Sequence, residues 1–145
     1  MTEQEYKLIR SLAWDVLIDA GISELPVNIK AVASVYGAES VVDDSASVYD
    51  NTVKVSEYIL NVFGLDSRTL TEAFTVRLLA PMIVLKRLSV RSAAEVSRLT
   101  GLPPVLAEKR FERLMLLEER NAFGISKLEN TVWLQFEKWA EKYPR

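Results

Sequence analysis

Glu57 is the one residue of this chain whose surroundings are spaced like a catalytic motif. In a zinc helix of the His-Glu-x-x-His type, two imidazoles four residues apart hold the metal. The Glu beside the first of them draws the proton from the metal-bound water. Residues 55–64 read VSEYILNVFG, which puts Glu57 in the acid's place, but the two ligand places hold Ser56 and Leu60. The 145 residues contain no histidine anywhere. Leucine has no lone pair to offer a metal, and a serine hydroxyl is a poor stand-in for imidazole. With no acidified water nearby, Glu57 has nothing to activate, so an exposed helix-surface carboxylate is expected and no metal or other cofactor.

The remaining chemistries fare no better. The absence of both histidine and cysteine removes Ser–His–Asp and Cys–His catalysis, and with cysteine go disulfides and thiolate metal sites. Asp43 and Asp44 are adjacent and suit a turn rather than a facing acid pair. The five glycines are scattered, without a phosphate-cradling cluster. No Ser–Lys spacing nominates a nucleophile. The sequence therefore points away from an enzyme.

Composition is that of an ordinary globular protein, 49% hydrophobic and 26% charged, which argues against disorder. At this length a single unit spanning 1–145 is expected. Glu3 and Glu5 precede the first apolar residues, and no apolar run approaches the roughly 20 residues of a membrane span, so a cytoplasmic protein with no membrane partner is expected. Charge is uneven: residues 1–76 carry five basic and twelve acidic side chains, whereas 77–110 carry seven basic and two acidic. A basic middle could meet nucleic acid or an acidic partner, or dock on the acidic N-terminal part of the same molecule.

Helical signals dominate. Thr2 and Glu5 form a capping box, and Ile9, Ala13, Val16, Leu17 and Ala20 follow at helical spacing before Gly21. A short helix is expected from Val27 to Tyr36, ended by Gly37. Residues 38–42 and 47–53 read as two short strands paired around Asp43-Asp44-Ser45. Helices then follow over 55–63, 68–88, 92–99, 104–120 and 127–142, with further capping boxes at Ser92/Glu95 and Ser126/Glu129. The expected fold is α+β, predominantly helical, with a small β-hairpin.

Three stretches resemble the ImmA/IrrE-type zinc peptidases carried by phages and mobile elements of bacteria. They are LAWDVLIDAGISELPVNIKAVASVY (12–36), FTVRLLAP (74–81), and residues 92–123, which end in Glu119, Arg120, Asn121 and Phe123. The resemblance implies a zincin-like domain over 1–90 followed by a helical extension over 91–145. It also implies a third, acidic zinc ligand four residues before Phe74, where this chain has Leu70. All three ligand places, Ser56, Leu60 and Leu70, are thus vacant of donors, and an inactive relative that recognises a protein partner, such as a repressor-type regulator, is expected.

Two further surfaces carry expectations. Residues 92–116 read as a helix-turn-helix-like segment, with Arg91, Arg98, Lys109 and Arg113 as candidate nucleic-acid contacts. DNA binding is therefore the alternative function, although Glu108 and Glu112 share the polar face with Lys109 and Arg113. Arg110 falls among Leu106, Leu114 and Leu117 and is expected to be buried and paired. Trp133, Phe136 and Ala140 form a stripe, widened by Val132 and Trp139, that must pack on its own domain or on a second copy in a homodimer.

Overall fold

A computed structural model describes residues 1–65, 67–122 and 124–144. Phe123, one of the residues carrying the family resemblance, lies outside them. Among the described residues the chain forms eight α-helices and one 3-10 turn, with no strand. The helices are α1 (Glu3–Asp19), α2 (Ile29–Tyr36), α3 (Val48–Val62), α4 (Arg68–Leu79), α5 (Met82–Leu88), α6 (Ala93–Thr100), α7 (Pro104–Glu119) and α8 (Lys127–Ala140). None is long and apolar enough to cross a membrane.

The expected β-hairpin does not form, and the fold is all-helical rather than α+β. Residues 39–41 make the 3-10 turn, and residues 48–53 are the first turns of α3. The reason lies in side chains that supply the hydrogen bonds a hairpin ladder would have used. Ser47 caps α3 by accepting from the Asp50 N–H at 3.1 Å, and Asp50 sits favourably in that first turn. Asn51 then reaches back to Asp43, accepting its N–H at 2.9 Å and donating to its carbonyl at 2.8 Å. Asp43 itself accepts from both the N–H and hydroxyl of Ser45, an Asx turn that leads into a helix. The buried residues Asn51, Thr52, Val55, Ser56, Ile59 and Leu60 recur at helical spacing, so burial overrides the strand preference of the β-branched residues.

A second correction falls at Pro81. The single helix expected over 68–88 is two, because proline has no N–H to continue the ladder and forces the preceding residue out of helical geometry. Ala80 sits at φ −132° and ψ 69°, and α5 starts afresh after Pro81.

Side-chain caps open most of the other helices. Thr2 and Glu5 form the reciprocal capping box, and Asn28, Ser67, Ser92 and Ser126 each accept an N–H three residues on. Gly37 and Gly101 close α2 and α6 in the left-handed conformation that a residue with a Cβ resists. The core joins α1, α4 and α8 on one side to α2 and α3 on the other, while α5 packs on α7 and α8. Phe74, Phe136, Ile9, Leu17, Leu60 and Leu78 are among its fully buried side chains.

Helix α8 returns to the start of the chain. The side-chain amide of Gln135 donates to the carbonyls of Leu17 and Ile22, at 3.0 and 2.9 Å. Val132 and Phe136 are fully buried, and Trp133, Trp139 and Ala140 pack against the same core as half-buried neighbours. Arg87 lies over the Trp133 ring. The stripe of Trp133, Phe136 and Ala140 is thus directed into its own molecule.

Candidate functional site

Helices α3 and α4 pack side by side, and their two faces have opposite characters. Ser56, Leu60 and Leu70, the three places where the family resemblance would put zinc ligands, all lie on the buried side. The Ser56 hydroxyl is 2.9 Å from that of Thr75, which donates to the Thr71 carbonyl at 2.7 Å. Leu60 is fully buried and packs into the core with Ile59 and Leu70. A zinc ion needs nitrogen, sulfur or carboxylate donors converging at about 2.0–2.3 Å. Here one position offers a hydroxyl already engaged with Thr75 and two offer only alkyl groups. No buried side-chain polar atom among the described residues lacks a partner, so none is left waiting for a metal. The residues do not fit the ion.

Glu57 is on the other side. It is exposed and lines an open groove of about 1300 Å³ along the outer faces of α3 and α4, bounded also by the segment at Val41 and Ala46. Tyr49, Lys54 and Tyr58 from α3, and Arg68 and Glu72 from α4, share its wall. Acidic and basic groups alternate there, and two phenols provide flat apolar area with a polar end. Burial, assisted by Glu72 and Asp50, pushes the Tyr49 phenol above its usual range, so it is a neutral donor at any physiological pH. Asp50 and Glu72 line the same groove, and no group of three or more potential metal-binding side chains forms among the described residues. The exposed Glu57 carboxylate can accept hydrogen bonds from a ligand.

The helix-turn-helix-like segment is present as α6, a three-residue link and α7. Its turn is fixed by the Ser97 hydroxyl donating to the Leu102 carbonyl and by Gly101 at φ 79°. The four candidate DNA contacts do not share one surrounding. Arg91 and Arg98 flank Glu95, whose carboxylate accepts the Arg91 N–H and the Tyr143 hydroxyl, both at 2.6 Å. Lys109 is exposed on α7 with Glu108 and Glu112, and Arg113 turns to a cluster of arginines that includes Arg110. Arg110 is buried as expected, but its partner is a backbone carbonyl, that of Ala80, reached by Nε and Nη2 at 3.0 and 2.8 Å.

Glu95 gives this segment a pH signature. Burial works to raise its carboxyl, but the Tyr143 hydroxyl, the Arg91 N–H and the nearby guanidiniums outweigh that and hold it below the ordinary carboxylate range. A depressed folded value stabilises the protein above the unfolded value, about 4.3 for Glu, and that contribution is lost as pH falls through the folded one. Glu95→Gln is therefore expected to melt below the parent at pH 7, with the gap closing at pH 3. Parallel thermal melts check this, and a gap independent of pH would contradict it.

No protein-family profile, curated protein or solved structure matches the chain.

Proposed function

We propose that the protein is a catalytically inactive relative of the ImmA/IrrE-type zinc peptidases that acts by binding a protein partner, a regulator of the phage or mobile element that carries it. The observation supporting this reading is the two-sidedness of the α3–α4 pair. The side that the resemblance would assign to zinc is closed by Ser56, Leu60 and Leu70, while the other side offers a long groove with mixed charge and tyrosines. Such a surface suits an extended or helical segment held by several weak polar contacts and one or two aromatic anchors.

The experiment pairs the purified protein with the repressor-type proteins encoded beside it and reads both binding and cleavage. A complex that forms with its partner intact, and is weakened about tenfold or more by Tyr58→Ala, is expected. Glu57→Gln is expected to leave the partner uncleaved, as in the parent. Cleavage abolished by Glu57→Gln would overturn the inactive reading. Binding insensitive to Tyr58→Ala and Arg68→Glu would move the interface away from the groove. A salt-dependent shift of duplex DNA, lost in Arg98→Ala/Lys109→Ala, would favour the regulator that binds DNA directly.

A further inference from the structure

Four arginines drawn from three helices meet at a second, smaller cavity. Arg10 comes from α1, Arg77 from α4, and Arg110 and Arg113 from α7; together they line a space of about 130 Å³ with Tyr6 and Glu129. Arg110 is only 9% exposed, and its described hydrogen bonds go to the single carbonyl of Ala80. A guanidinium carries five N–H bonds, so this contact leaves most of them over. Arg77 donates to the Ala73 carbonyl and lies over the Tyr6 ring, 4.6 Å from its centroid. Arg10 lies 5.2 Å from the Trp14 centroid and 5.9 Å from that of Tyr6. Aromatic faces and backbone carbonyls therefore position the guanidiniums without neutralising them.

Among the described residues none of the four is ion-paired to a carboxylate. Glu129 is, among the described residues, the one acidic side chain on the wall, leaving a surplus of three positive charges even when it is ionised. Burial raises the Glu129 carboxyl above its ordinary range, although Arg10 and Arg110 work to lower it. Burial, and after it the neighbouring Arg77, pulls the Arg110 guanidinium down to about 9, still charged at neutral pH. The Tyr6 phenol is held below its ordinary range by Arg77 although burial opposes the change. A set of like charges, one of them deeply buried, is costly unless an anion joins it.

We propose that this cavity is a binding site for a phosphate-class oxyanion, free inorganic phosphate or a small phosphomonoester. Its volume is well below the roughly 300–1,000 Å³ of pockets for drug-sized ligands, so it admits a single anionic group rather than a stretch of nucleic-acid backbone. Guanidiniums match phosphate oxygens bidentately, and a dianion offsets more of the surplus than a carboxylate can. Arg10 and Arg113, both exposed at the rim, are the residues that close on the anion, and Arg110 forms the fixed base.

Calorimetric titration of the intact protein with sodium phosphate tests this, with sodium acetate and sodium chloride at equal ionic strength as controls. Saturable phosphate binding that raises Tm is expected, weakened at least about tenfold in Arg113→Gln and in Arg10→Gln, which remain folded because both side chains are exposed. Loss of response to phosphate in these variants, with an unchanged melt in chloride, supports the site. Equal saturable binding of acetate would replace the phosphate assignment with a carboxylate one. Absence of saturation, or full phosphate binding in both variants, would overturn the proposal. The groove on α3 and α4 is untouched by either variant, so this result stands apart from partner binding.

Discussion

Leu60→His is expected to destabilise the protein by about 2.5–6 kcal/mol and to recruit no zinc. The leucine is fully buried, and removing its side chain from the core forfeits about 1.5–3 kcal/mol of burial. The imidazole that replaces it brings polar nitrogens into an apolar pocket, adding about 1–3 kcal/mol when they find no partner. The double variant Ser56→His/Leu60→His should be worse, because it also breaks the hydroxyl contact with Thr75 that joins α3 to α4. Urea denaturation and elemental analysis of the same samples provide the check. A variant as stable as the parent, holding one zinc per chain, would show that the α3–α4 face can still open into a metal site.

Phe136→Ala should cost a similar amount, about 3–5 kcal/mol, through the cavity it leaves beneath α8. Phe136 is fully buried and stands edge-on to Trp139, with ring centroids 6.3 Å apart. Native stabilities of 5–15 kcal/mol leave little margin for such a loss. Light scattering with circular dichroism should therefore show lost structure, whereas folded monomers derived from a dimeric parent would place the stripe at a subunit interface. Trp133→Ala, at a half-buried position, should cost less.

What could be read in advance was whatever is encoded over three or four residues. The capping box at Thr2 and Glu5 and the stop at Gly37 stand where the sequence puts them, because each uses only local groups. The burial of Arg110 was legible from its place among leucines on a helical projection. The false hairpin arose from Val48, Tyr49 and Val53, whose β-branched and aromatic character mimics a strand. The signal against it was Ser47 followed three residues later by Asp50, a helix start outside the commoner Ser-x-x-Glu form. The break at Pro81 was equally available, since proline ends a helical ladder wherever it falls in the interior. The groove and the arginine cavity were not legible. Arg10 and Arg77 meet the Arg110–Arg113 pair only through the tertiary fold, and no local pattern records that meeting.

Gln135 sets the order in which this chain can complete itself. The carbonyls it serves, those of Leu17 and Ile22, precede it by 118 and 113 residues. A chain emerging from the ribosome at roughly 5–20 residues per second presents α1 to the cell several seconds before α8 exists. Throughout that interval the end of α1 lacks its donor, and the buried faces of α1 and α5 lack the cover of α8. A fragment ending before residue 127 is expected to expose the α1 surface that α8 covers, and binding of a hydrophobic dye by residues 1–126 checks this.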